Sequence, residues 1–188
     1  MPKPKFPIPA DPKERRMGMT EDRYLNLFLE ASDFNPRMRP VQDSRLQGPD
    51  PRDVWFAKHQ GILTGFAVWM GSPSATIWRV VDIRTAFPTA WQASSWHSEA
   101  LGYNSESTPP VAGAPAVGQE CRVFGGLGAD VLGVGVRINA FFYLFRVGRI
   151  AVKLFAAQGM EASAPLTPAH VADMASRVVA RIERVERT

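Results

Sequence analysis

The stretch FFYLFRVGRIAVKLFAA, Phe141 to Ala157, restricts the fold more than any other part of the chain, because it sets two apolar runs either side of Val147-Gly148-Arg149. Side chains alternate across a strand. Over Arg137 to Val147, Ile138, Ala140, Phe142 and Leu144 therefore turn one way, and Asn139, Phe141, Tyr143 and Phe145 the other. Gly148, at the first central turn position, supplies the positive φ that a two-residue hairpin requires, and Ile150 to Ala157 returns with a similar alternation. Both faces are apolar, so both need cover. Burying one large aromatic side chain contributes about 1.5–3 kcal/mol, and leaving Phe141, Tyr143, Phe145 and Phe155 in water would forgo several such terms.

One cover is visible in LTPAHVADMASRVVARIERVER, with Thr167 as N-cap, Pro168 at the first helical position, and Val171, Ala175, Val178, Ile182 and Val185 on one side. Its pairs Asp173/Arg177 and Glu183/Arg187 are spaced to solubilise an exposed helix face. A second helix is predicted near 21–31 behind the cap Thr20, with Tyr24, Leu25, Phe28 and Leu29 as its apolar stripe. A third is predicted over about 87–101, with Pro88 in its first turn and Gly102 just beyond its end. VWFAKH, ILTGFAVWMG and ATIWRVVDIRT read as consecutive antiparallel strands, and further strands are predicted near Glu120 to Phe124 and Val131 to Val136. The proline-dense segment from Asp33 to Asp53 reads as a connecting loop, 103–119 as a long Pro/Ser/Gly/Ala surface loop, and FGGLGADVLGVG as a flexible turn. This order predicts an α+β fold, an α/β/α sandwich whose largely antiparallel sheet carries the amphipathic C-terminal helix on one face.

The 188 residues, 45% apolar, suffice for one domain over 20–188 preceded by an arm over 1–19. The arm has four prolines in its first nine residues and five basic residues, Lys3, Lys5, Lys13, Arg15 and Arg16, against Asp11 and Glu14. It therefore carries +3 of the net +4, and the remainder is nearly neutral, which argues against nucleic acid as a partner. Proline stiffness, the basic residues and three apolar plugs, Phe6, Ile8 and Met17 or Met19, suit an extended tether laid across a groove of another protein, the alternative being a disordered terminus. No apolar run is long enough to span a bilayer, and the first residues lack a signal-peptide pattern. The sequence as it stands reads as cytoplasmic, or as a cell-envelope protein if a leader has been removed, with membrane contact only through a partner. The single Cys121 reads as a small apolar residue in a strand.

AVGQECRVFGG, FYLFRVGRIAVKLFA and PLTPAHVADMASRVVARI, in that order, resemble the C-terminal half of PsbP-like domains, and RVVDIRTAFPTAWQASSWHSEAL resembles their earlier strand-into-helix segment. The resemblance spans roughly 53–185 and rests on a hairpin of the form apolar-Phe-Arg-apolar-Gly-x-apolar followed by a capped helix. It implies an α/β/α sandwich and a non-catalytic role, as in accessory subunits, lipoproteins and sensor domains. The basic arm departs from that pattern, and no functional residue is carried over.

Catalytic and metal-binding patterns are weak. His59, His97 and His170 lie in separate elements without ligand spacing, so no metal site is predicted. Ser95, His97 and Glu99 sit two apart on a predicted helix and point to different sides, so a relay would need Asp82 or Asp130 from elsewhere. Gly126 and Gly128 start a GxG that fails the dinucleotide fingerprint, and no P-loop ending follows. No cofactor is therefore expected. The aromatics beside Arg137, Arg146, Arg149 and Lys153 offer a base-stacking platform, but the RNP1 pattern is absent. The reading that results is a non-enzymatic protein-binding accessory or structural subunit of a larger assembly, docking through the arm. The alternative is a small-ligand or lipid-binding module with a pocket around Trp91 and Trp96.

Overall fold

The structure, a computed structural model, describes residues 19–34, 38–47, 61–105, 110–129 and 138–187. Six strands form one antiparallel sheet: β1 Arg39–Gln47, β2 Leu63–Met70, β3 Arg79–Ala86, β4 Gln119–Ala129, β5 Ile138–Val147 and β6 Ile150–Ala157. Their spatial order is β1-β2-β3-β6-β5-β4, so the aromatic hairpin lies inside the sheet with β3 and β4 as its neighbours. Among the described residues three α-helices accompany them, α1 Glu21–Leu25, α2 Ala90–Ser105 and α3 Pro168–Arg187, together with a single 3₁₀ turn at Ala31–Asp33. The predicted α+β sandwich is therefore present.

Pairing of Val147 with Ile150 fixes the hairpin register, and Gly148 has φ +56 at the turn. Opposing residues on paired strands share a face, which sorts the core. Phe141, Tyr143 and Phe145 of β5 share one face with Val152 and Leu154 of β6 and with Val80, Asp82 and Arg84 of β3. On this face lie α1 and α3, and the Tyr143 hydroxyl donates to the Pro168 carbonyl at 2.8 Å. Phe124, Leu144 and Ala151 share the other face, where α2 adds Ala93, Trp96 and Ala100 and Phe87 closes the cluster. Both faces of the hairpin are covered, which removes the stacking-platform reading. Its cations are also engaged: Arg146 with Glu120, Arg149 with Glu186, and Lys153 over the Trp96 ring. Arg137 lies outside the described residues.

Several boundaries differ from expectation. Helix α1 stops at Leu25 because Leu27, Phe28 and Leu29 are all buried, and three consecutive residues cannot face one side of a helix. The Thr20 hydroxyl does cap it, accepting from the Arg23 amide at 3.2 Å. The proline-dense loop contains β1, an edge strand in which Pro40 needs no amide and register shifts flank Gln42. Helix α2 starts later, where Thr89 Oγ1 accepts from the Gln92 amide at 3.2 Å, and it runs through Gly102. The glycine-rich turn begins as strand: Gly125 and Gly126 extend β4 with φ +114 and +144, and a register shift separates Gly126 from Ala129. The predicted strands at 54–59 and 131–136, together with His59 and Asp130, fall outside the described residues.

Candidate functional site

Four positions of α3, His170, Asp173, Met174 and Arg177, follow helical i, i+3, i+4, i+7 spacing and form one stripe. That stripe walls a cleft of about 400 Å³. The connection between β2 and β3, residues 71–78, supplies the opposite wall through Gly71 to Ile77, and Asp33, Phe34 and Met38 close it. Phe34, Met38, Ile77 and Met174 give the cleft its apolar surface, while Ser72, Ser74 and Thr76 give hydroxyls. Phe34 is in turn fixed by the Trp69 ring, with centroids 4.8 Å apart.

The walls are tied down on each side. Within the β2–β3 connection, the Ala75 amide donates to the Ser72 carbonyl at 2.9 Å. The segment after β6 grips the same loop, with the Gly159 amide on the Ala75 carbonyl at 3.2 Å and the Glu161 amide on the Pro73 carbonyl at 3.0 Å. A Cβ at Gly159 would run into the Pro73 carbonyl and lie 2.7 Å from the Ala75 oxygen, so no larger residue fits there without moving the wall. Across the cleft, Arg181 reaches Glu30 at 2.8 Å and Asp33 at 2.7 Å. Arg177 donates to the Asp33 carbonyl and to the Asp173 carboxylate, each at 2.8 Å. Asp33 and Asp173 thus each have a guanidinium partner. The rim is polar but locally neutral, a lining better matched to a polar-and-apolar group than to a strongly charged one. At the helix start the predicted cap is modified: Thr167 Oγ1 meets His170 Nδ1 at 3.1 Å, and the Thr167 amide donates to that nitrogen at 3.2 Å. This is the return leg of a capping box, made by a histidine.

Neither tryptophan of the predicted pocket lines this cleft. Trp96 is 6% exposed and packs on Phe87 inside the α2 layer, whereas Trp91 points outward and is 59% exposed. Five residues, about 1.4 helical turns or roughly 140° around the axis, separate them, enough to send the two rings to different sides. The predicted partner-binding residues Lys3, Lys5, Phe6, Ile8, Lys13, Arg15 and Arg16 lie outside the described residues.

A second polar cluster lies under α2. Ser94 Oγ donates to Glu120 Oε1 at 2.7 Å, and Arg146 holds the same carboxylate, with Nη2 2.9 Å from Oε1 and Nε 2.8 Å from Oε2. These bonds, Arg146 foremost, lower the Glu120 pKa to about 2. His97 is fully buried with Nδ1 3.8 Å from Glu120 Oε2, and neither ring nitrogen completes a hydrogen bond. Burial lowers its pKa, outweighing the Leu144 carbonyl and Glu120. The serine therefore serves the carboxylate and not the imidazole, and the order needed for nucleophile activation is not built. Asp82 cannot complete it, because it lies on the opposite face of the sheet, 2.7 Å from Arg84. Among the described residues no group of three or more His, Cys, Asp or Glu side chains could hold a metal, and no helix is long and apolar enough to cross a membrane.

No family model matches the chain, and no curated protein matches it. Among solved structures, the crystal structure of the extracellular domain of PknH from Mycobacterium tuberculosis is similar, with a TM-score of 0.54 and 14% identity. The match covers 91% of this chain and 98% of that domain. At this identity the likeness is one of fold, and the chain shares the architecture of that domain over nearly its whole length.

Proposed function

We propose that this chain is a non-enzymatic binding module, an accessory or structural subunit that docks on a protein partner through the cleft between α3 and the β2–β3 connection. The cleft carries the reading: it has apolar anchoring surface, hydroxyls on one wall and a charge-compensated rim, which suits an apolar side chain presented on a partner's backbone. The basic arm is the second contact in this proposal. The sandwich agrees with the fold that a PsbP-like domain implies, and membership of that family is part of the proposal. Similarity to an extracellular domain supports work in the cell envelope rather than in the cytoplasm.

A photo-crosslinking residue at Ser74, compared with one at Trp91 on the other side of the sheet, tests this in native cells. Capture of one discrete partner from position 74, lost when Met174→Glu is added, is the expected result. Equal capture from both positions, or capture unaffected by Met174→Glu, overturns the site. The second reading, a small-ligand module, is favoured by the cleft volume, which falls in the ~300–1,000 Å³ range of such sites. Native mass spectrometry of the purified chain separates the two, because only the second predicts a co-purifying small molecule displaced by Met174→Glu.

A further inference from the structure

Residues 117–121 enter β4 in an unusual way. Gly118 has φ +58, and a Cβ there would lie 2.7 Å from the Arg146 carbonyl. Glu120 follows with φ +54, a left-handed conformation that a residue with a Cβ adopts only when its surroundings hold it. The holding groups are specific. Arg146 Nη1 donates to Gln119 Oε1 at 2.6 Å and to the Gly148 carbonyl at 3.0 Å, and the Gly148 amide donates to the same Gln119 oxygen at 3.2 Å. Arg146 and Ser94 then hold the Glu120 carboxylate. One guanidinium thus fastens the start of β4 to the β5–β6 turn, while Ser94 fastens it to α2.

His97 sits directly beneath this fastening, with no exposure and no completed hydrogen bond. The charged groups facing it are Glu120 and Arg122 from β4 and Arg146 from β5; from β6, Lys153 lies over the adjacent Trp96 ring, 4.9 Å from its centroid. We infer that His97, Glu120 and Arg146 form an acid-sensitive latch: a proton on His97 releases the 117–121 segment from the β5–β6 turn. A buried imidazolium needs acceptors for both ring N–H groups. The Leu144 carbonyl faces the ring and can take one of them; the acceptor for the other, Glu120 at 3.8 Å, is already engaged by Arg146 and Ser94. Either Glu120 turns to His97 and leaves Arg146, or the imidazolium reaches water by lifting the segment above it. Both routes undo the same fastening. Glu120 itself stays ionised across the window, since Arg146 keeps its pKa near 2. His97 is therefore the member of the pair that changes.

The test is amide exchange of residues 117–121 at pH 7.5 and 5.5, corrected for intrinsic rates, on the full chain and on His97→Gln, with the His97 ring followed by NMR. Opening linked to one proton rises about tenfold per pH unit below the open-state histidine midpoint near 6.5. Opening about tenfold larger at pH 5.5 than at 7.5 is therefore expected, confined to these amides and abolished in His97→Gln. If His97→Gln does not fold, the ring itself decides: titration of His97 in step with the exchange supports the latch. Exchange independent of pH overturns it, as does a change that persists in His97→Gln or occurs while the ring stays neutral.

Discussion

Tyr24, Phe28, Asp82 and Arg84 meet in a part of the apolar core that holds a full ion pair. Asp82 and Arg84 are both completely buried, two residues apart on one face of β3, joined by two bonds of 3.0 and 2.7 Å. The guanidinium also lies 5.1 Å from the Phe28 ring centroid. Above it, the Tyr24 hydroxyl donates to the Arg84 carbonyl at 2.6 Å, and burial raises that hydroxyl's pKa far above its usual value. Because the pair is desolvated, removing one partner leaves a charge with no compensation. Asp82→Asn should cost about 3–5 kcal/mol in denaturant unfolding. A joint Asp82→Leu, Arg84→Met replacement should recover most of that loss. Additive losses in the double variant would show that the pair does more than neutralise itself. The hairpin aromatics set a second comparison. Phe145→Ala, at a fully buried position, should cost about 3–5 kcal/mol, and Phe142→Ala less, because Phe142 is half-buried. Equal losses at the two positions would contradict the burial difference.

At the scale of elements, legibility followed the strength of the local pattern. The β5–β6 hairpin and α3 were readable because each carries its complete signal within twenty residues: alternation around a positive-φ glycine, or a capped stripe. Strand β1 was hidden because Pro40 and the prolines around it are costly in a central strand and harmless on an edge, and the sequence does not state which strand is the edge. The length of α1 was misread because Tyr24, Leu25, Phe28 and Leu29 suit helical spacing, while the burial of Leu27 that ends it is a tertiary fact. The cleft was illegible for a related reason: Asp33, Ile77 and Met174 are brought together only by the sheet order. Its weak trace in the sequence was Gly159, whose small size protects the β2–β3 connection. Gly159→Ala should therefore displace that wall, seen as shifted methyl resonances of Met38 and Met174. Gly113→Ala is the control, since its φ of +70 with open space around it predicts a conformational cost of about 1–2 kcal/mol and an unchanged cleft. Undisturbed methionine resonances in Gly159→Ala would show that the wall is not braced from this side.

For the whole molecule, Met19 corrects the expected extent of the arm: it is 1% exposed and belongs to the main core cluster with Tyr24, Leu27 and Phe28, so it is a core residue and not a plug of the arm. Removing residues 1–18 should leave the melting temperature of the domain nearly unchanged, as expected of a proline-rich basic terminus with no core of its own. Removing 1–19 should cost more, because a buried methionine lost from a packed core is worth about 2–5 kcal/mol. Charge gives the functional half of the argument. The arm concentrates five basic residues in a chain whose remainder is close to neutral, and exposed charges act over roughly a Debye length, about 8 Å at physiological salt and longer when dilute. Association with the partner captured at position 74 should therefore weaken on removal of 1–18, more at 20 mM salt than at 500 mM, where screening has already removed the contribution. The measurement is the dissociation constant of full-length and 1–18-truncated protein at both salts. Identical constants at low salt would sink the tether and leave the cleft as the whole of the interface. A loss of equal size at both salts would assign the arm's contribution to Phe6 and Ile8 rather than to its charge.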